Sequence, residues 1–164
     1  MKKVGFSHAD LVKIGEKWLI NSKGCGFALI ELRTLNSETP DAIGFRSGVS
    51  ILVEAKTSRA DFFADKRKSF RKNTSTGMGT FRYFLCPKGI IKPEDLPKKW
   101  GLLWVNEKGK VRQKVGPKGS IWTSKNRVNF RFECSIQAEW NMMYSALRRL
   151  HKRGVLPQIY DNFY

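Results

Sequence analysis

Val49-Ser50-Ile51-Leu52-Val53-Glu54-Ala55-Lys56-Thr57 is the stretch on which the reading of this chain turns. It opens as a dense apolar run, the pattern of a strand covered on both faces, and then sets a carboxylate and an ammonium two residues apart. Alternate residues of a strand share a face, so Glu54 and Lys56 project together while Val53 and Ala55 project the other way. Charges at the end of an apolar strand are expensive to desolvate unless a metal or mutual pairing compensates them. Immediately upstream, Ser47-Gly48 reads as a tight turn and Asp41 to Arg46 (DAIGFR) as a short strand. The hairpin so formed can bring Asp41, which follows Pro40 and precedes Glu54 by twelve intervening residues, beside the Glu54 carboxylate. The plain alternative is a strand that emerges into water with an ordinary surface Glu–Lys pair, since a bare Asp…Glu-x-Lys spacing arises often by chance.

Farther out, Ser7-His8-Ala9-Asp10 reads as a capping box opening a helix to about Ser22, with Leu11, Ile14, Trp18 and Leu19 as its apolar stripe. Cys25 to Thr34 reads as a strand and Asn36 to Pro40 as a polar turn. Downstream, Ser58 caps a second helix running to about Lys72, Asn73 to Gly79 is a loop, and Phe81 to Cys86 is a buried strand. Pro93 to Lys99 suggests one helical turn, Leu102 to Val105 another buried strand, and Lys110 to Val115 a strand after a turn at Lys108-Gly109. A last helix runs from about Ser135 to His151, with Ile136, Trp140, Met143, Leu147 and Leu150 along one side. The fold class expected is α/β: a central mixed sheet flanked by helices, with an added C-terminal hairpin and helix. No repeat or long linker interrupts the chain, so one domain over residues 1–164 is expected, with a core at about 7–105.

Charge narrows the functional classes. Lys and Arg number 31 against 14 Asp and Glu in 164 residues, a net +17, which points to a polyanionic partner, with nucleic acid the first candidate. No apolar run is long enough to cross a bilayer and no signal-peptide stretch follows Met1, so a cytoplasmic protein is expected. Cys25, Cys86 and Cys134 lie far apart and read as reduced thiols, not as a disulfide framework or a zinc site. His8 and His151 lack zinc-ligand spacing and read as surface or capping residues. No Gly-rich phosphate loop and no nucleophile elbow is present.

The constellation Asp41, Glu54 and the Ala55 backbone carbonyl offers hard oxygen ligands of the kind Mg²⁺ prefers, and a metal-bound water can attack a phosphodiester. Lys56 can orient that water, assist its deprotonation, or neutralise charge on the phosphate. Pro40-Asp41…Glu54-Ala55-Lys56 in a helix-strand-strand-strand-helix-strand order resembles the PD-(D/E)XK nuclease superfamily, the restriction-endonuclease-like fold. Val53 to Phe62 (VEAKTSRADF), Arg82 to Pro87 (RYFLCP) and Gly101 to Val105 (GLLWV) are similar to the bacterial MmcB-like DNA-repair nucleases, and phage or mobile-element nucleases of this size resemble the chain nearly as well. The resemblance implies a restriction-endonuclease-like αβββαβ core and DNA hydrolysis with Mg²⁺ or Mn²⁺. It implies Asp41 and Glu54 as metal ligands and Lys56 as the catalytic lysine, in a bacterial or phage-infected host cytoplasm. Many members add an acidic residue from the first helix. Glu16, which borders Val12, Leu19 and Ile20 on the helical wheel, is the candidate, with a solvated flank as its plain reading. Glu31 and Glu38 can also approach the site.

For nucleic-acid contact, Lys66, Arg67, Lys68, Arg71 and Lys72 form a basic helix end directly after the motif strand. Lys110, Arg112 and Lys114 alternate along one side of a hairpin, where edge protection by lysine is the plain alternative. Arg59 can hold a phosphate, and Trp122 and Tyr83 are the aromatics to watch for base stacking. Residues 106–164 carry no motif; DNA gripping and homodimer formation both suit them. Two rival readings stand beside the nuclease: a non-catalytic nucleic-acid-binding protein, and a basic component of a nucleoprotein assembly.

Overall fold

The structure, a computed structural model, describes residues 5–161. Six strands form one mixed sheet in sequence order: β1 (Phe27–Ile30), β2 (Ala42–Arg46), β3 (Val49–Ala55), β4 (Phe81–Pro87), β5 (Gly101–Val105) and β6 (Val111–Val115). The first three run as an antiparallel meander, β3, β4 and β5 are parallel, and β6 returns antiparallel. Parallel strands need crossovers. The β3–β4 link carries the short helices α2 (Arg59–Asp65) and α3 (Ser69–Lys72), and the β4–β5 link one 3₁₀ turn at Pro93–Asp95.

The helix α1 (His8–Asn21) covers one face. Ser7 caps it in a complete capping box with Asp10, as the sequence indicates. Its residues Leu11, Val12, Trp18 and Leu19 pack with Val53, Ala55, Tyr83 and Leu85. Gly15 lets the helix lie close on β3: a Cβ there would stand 3.1 Å from Val53 Cγ1. The opposite face carries Ile43, Leu52, Phe84 and Leu102 under Phe62, Trp100, Phe132 and Met142. β3 is buried along its whole length because both faces are covered.

Several expectations need correction. The strand expected over Cys25 to Thr34 is only Phe27–Ile30, ending where Glu31 adopts φ 46. The single helix expected from Ser58 to about Lys72 breaks after Asp65. The Arg67 and Lys68 amides fold back on Ala64 and Asp65, and Lys68 is extended before α3 restarts. A helix α4 (Ser124–Phe130), capped by Thr123, lies in a segment without clear apolar periodicity and was not expected. α5 (Ile136–Lys152) matches its expected bounds, but most of its stripe is not core. Of the expected residues, Ile136, Trp140, Leu147 and Leu150 are 77, 68, 49 and 38% exposed; Met143 alone packs, partly buried, against the core, beside the fully buried Met142. The helix instead docks through polar anchors: the Ser50 hydroxyl and the Gly79 amide both donate to Glu139 Oε1, and Asn36 donates to the Ala138 carbonyl. Among the described residues, no helix is long and apolar enough to cross a membrane.

Candidate active site

The β2–β3 register fixes the position of the site. Ala42 faces Val53 and Arg46 faces Val49, so the next position out sets Asp41 against Glu54. The left-handed Gly48 (φ 77) in the two-residue turn sets that register. Asp41 binds back to the ladder, its Oδ2 accepting from the Ala55 amide at 2.8 Å. Its other oxygen, Oδ1, lies 3.4 Å from His8 Nε2. Burial, and next to it the Glu54 charge, push the Asp41 carboxyl up to about 6 against the pull of Lys56. Asp41, Glu54 and Lys56 are thus within electrostatic reach of one another, the first requirement of the sequence reading.

Glu54 and Lys56 are more enclosed than a strand end in water would be. Each side chain is 5% exposed or less; Lys56 Nζ sits 3.5 Å from Glu54 Oε2 and 3.2 Å from Asp65 Oδ1. Burial works against the Lys56 ammonium, but Glu54, Asp65 and Asp41 overcome it and hold its pKa above the ordinary lysine value. Lys56 is therefore a fixed cation.

Arg71 completes this inner group and corrects its assignment as a solvent-facing phosphate contact. Its side chain is 5% exposed, with Nη1 2.7 Å from Glu38 Oε1, Nε 2.7 Å from Asp65 Oδ2 and Nη2 3.2 Å from Glu54 Oε1. The restart of α3 after Lys68 turns this arginine inward, where three buried carboxylates require positive charge. Glu38 is held there as well, its Oε2 accepting from the Met78 amide at 2.6 Å. No signal in the sequence separates Arg71 from its basic neighbours, because its direction depends on that break.

Glu16 is not brought into the group. It is half-buried on α1, and its side chain makes no hydrogen bond or ion pair among the described residues. Eight residues at 1.5 Å each place it about 12 Å along the helix from His8. The first helix reaches the site with His8, expected only as a surface or capping residue, which lies 3.2 Å from Glu31 Oε1. Glu31, Asp41 and Glu54 form one row across the ends of β1, β2 and β3, since the β1–β2 register carries Ile30 on Ala42 and hence Glu31 on Asp41. An open groove of about 620 Å³ is bordered by Glu31 and Asp41 of this row together with Arg33, Thr34 and Thr39; Glu54 and Lys56 lie buried behind Asp41 and do not line it.

The other basic residues divide by engagement. Arg59 is exposed but paired bidentately to Asp95 at 2.7 and 3.0 Å, and Lys66 donates to the Asp95 carbonyl. Lys68 pairs with Asp65 at 2.8 Å. Arg67, Lys72, Lys110, Arg112 and Lys114 face solvent, with Lys114 standing over the Trp104 ring. Tyr83 is 1% exposed under Trp18, so base stacking is closed to it, whereas Trp122 is 47% exposed. Cys25 and Cys86 are buried and Cys134 half-buried, all three free.

No protein-family model matches the chain, and no curated protein matches it. A solved structure of a protein of unknown function from Silicibacter pomeroyi is similar over 98% of this chain and 100% of that one, with a TM-score of 0.56 and 18% identity. A likeness at that identity is one of fold.

Proposed function

We propose that the chain is a metal-dependent deoxyribonuclease of the PD-(D/E)XK type, with Asp41, Glu54 and the Ala55 carbonyl holding Mg²⁺ or Mn²⁺ and Lys56 serving the phosphate. The observation that carries this reading is the alignment of Asp41 with Glu54 across neighbouring strand ends, with Lys56 two residues on and a groove outside. The donor set suits a divalent cation. Asp41 is pushed up by burial and by Glu54, a like-charge strain that a cation relieves, while Glu54 is held in place by Lys56 and Arg71.

When bound, the ion supplies an activated water and neutralises phosphate charge. The chain's own residues do the rest. Asp41, anchored by the Ala55 amide, presents Oδ1 outward; Lys56, kept protonated by Glu54 and Asp65, offers a fixed positive charge to a phosphate oxygen; Arg71 holds Glu54 and Asp65 in place. A permanently charged Lys56 serves as electrostatic stabiliser in place of general base. DNA as substrate follows from the family resemblance; the +17 net charge supports any nucleic acid.

The test is incubation of the purified protein with single-stranded, duplex and branched DNA in Mn²⁺ or in chelator. Cleavage is expected with Mn²⁺ alone and is expected to vanish in Asp41→Asn, Glu54→Gln and Lys56→Met, chosen to spare the buried packing. Cleavage that persists in all three variants overturns the site. Salt-sensitive binding without cleavage in any divalent ion favours the non-catalytic rival, and co-purified RNA or subunits with no response to metal favours the assembly component.

A further inference from the structure

We propose that His8 and Glu31, together with Asp41, form a divalent-cation site of mixed nitrogen and oxygen ligands that selects Mn²⁺-type transition ions over Mg²⁺. The proposal rests on the nuclease reading only in sharing Asp41. His8 Nε2, Glu31 Oε1 and Asp41 Oδ1 come from three separate elements: the first turn of α1, the end of β1 and the start of β2. One ligand atom from each lies within 4.8 Å of the other two, and the histidine nitrogen stands 3.2 and 3.4 Å from the two carboxylates. Ligands bonded at about 2.1 Å to one ion are separated by about 3 Å when adjacent and a little over 4 Å when opposite. The three atoms already stand near the corners of such a shell.

Charge separates this outer group from the inner one. Glu38, Glu54 and Asp65 are answered inside by Lys56, Arg71 and Lys68, three against three. Outside, Glu31 and Asp41 are bridged by the His8 imidazole, with Lys56 acting on Asp41 from inside and Arg33 on the groove wall, so their carboxylates stand where the groove opens. Next along the same row, Glu54 is committed inward, its Oε1 3.2 Å from Arg71 Nη2 and its Oε2 3.5 Å from Lys56 Nζ, so the outer group stands on His8, Glu31 and Asp41 alone. His8 and Glu31 have side chains 44 and 52% exposed, so a hydrated ion can reach both without opening the fold.

An imidazole ligand decides the class of ion. Mg²⁺ favours an all-oxygen shell and keeps its waters, whereas imidazole suits transition ions, and Mn²⁺ accepts a mixed shell. A plain His8–carboxylate ion pair is the competing account, and it needs no metal.

The experiment uses the full chain with Mn²⁺ and Mg²⁺ as separate probes, in wild type, His8→Gln and Glu31→Gln. Calorimetry gives affinity, and pulsed electron paramagnetic resonance of bound Mn²⁺ reads nitrogen in the shell. Wild type is expected to show nitrogen coupling. His8→Gln is expected to lose that coupling and bind Mn²⁺ about tenfold or more weaker with Mg²⁺ affinity unchanged, and Glu31→Gln to weaken both ions. Bound Mn²⁺ without nitrogen coupling, or wild-type affinity in His8→Gln, overturns the proposal. His8 is an exposed first residue of its helix, so far-ultraviolet circular dichroism of His8→Gln should match wild type. A protein that binds Mn²⁺ through His8 yet leaves DNA intact sinks the nuclease reading alone; cleavage that survives with no nitrogen in the shell sinks only this one.

Discussion

Asp65 and Asp41 show how one cluster of carboxylates divides by surroundings. Asp65 is 2% exposed, yet Arg71, Lys56 and Lys68 overcome the effect of burial and hold its carboxyl down at about 2. Asp41, with burial and Glu54 against it, rises to about 6. A carboxyl depressed by folding stabilises the native state above its unfolded pKa, and that contribution is lost as pH falls through the folded value. Asp65 therefore supports the fold fully from about pH 5 upward and loses its contribution on the way down to about pH 2. Urea unfolding of wild type and Asp65→Asn should show the gap in stability widest near neutral pH and closing across that window. An equal gap at low and neutral pH would remove Asp65 from the account. The inward course of Arg71 obeys the same electrostatics: three buried carboxylates around one guanidinium are tolerable only with that guanidinium present.

At the scale of elements, strands were more legible than the helices that cross them. The β2–β3 hairpin carries its instructions locally, in a Ser47-Gly48 turn and a dense apolar run, and its register follows. α1 was legible from its cap and stripe. The break between α2 and α3 was not, because helical spacing runs straight through it and tertiary demand from the ion cluster sets the restart. α4 lacked a stripe to read, and the exposed face of α5 reads from sequence like a core face. The site was legible in Asp41, Glu54 and Lys56, whose spacing is local to the hairpin. It was hidden in His8, read only as a surface or capping residue, and was unranked in Glu31 and Glu38, because register and helix placement, not local spacing, bring them in. Gly101 faces Tyr83 across β4 and β5, and a Cβ there would overlap the ring and stand 3.0 Å from the Val115 carbonyl. Gly101→Ala should therefore lower stability by about 1–3 kcal/mol, read by urea denaturation, because neither the ring nor the backbone of β6 has room to yield.

At the scale of the molecule, the net charge of +17 governs encounters with any polyanion, and its exposed portion is unevenly held. Arg59, Lys66 and Lys68 are tied to acidic or carbonyl partners, whereas Lys110, Arg112 and Lys114 line solvent along the edge strand β6 beside a concavity floored by Trp104. If nucleic acid lies on β6, replacing all three with alanine should weaken DNA binding and reduce the slope of log affinity against log salt by about 0.9 for each phosphate that is no longer neutralised. An unchanged slope places the nucleic acid elsewhere. The same charge has a second office. The ridge of Ile136, Trp140, Tyr144 and Leu147 stands largely bare on α5, and like-sign repulsion between whole molecules keeps such ridges from meeting. Electrolyte shortens that repulsion to within a few ångströms at molar strength. A brine concentrated enough to strip a polyanion from this chain thereby also removes its colloidal protection, so the preparation that is cleanest is the one most inclined to self-adhere.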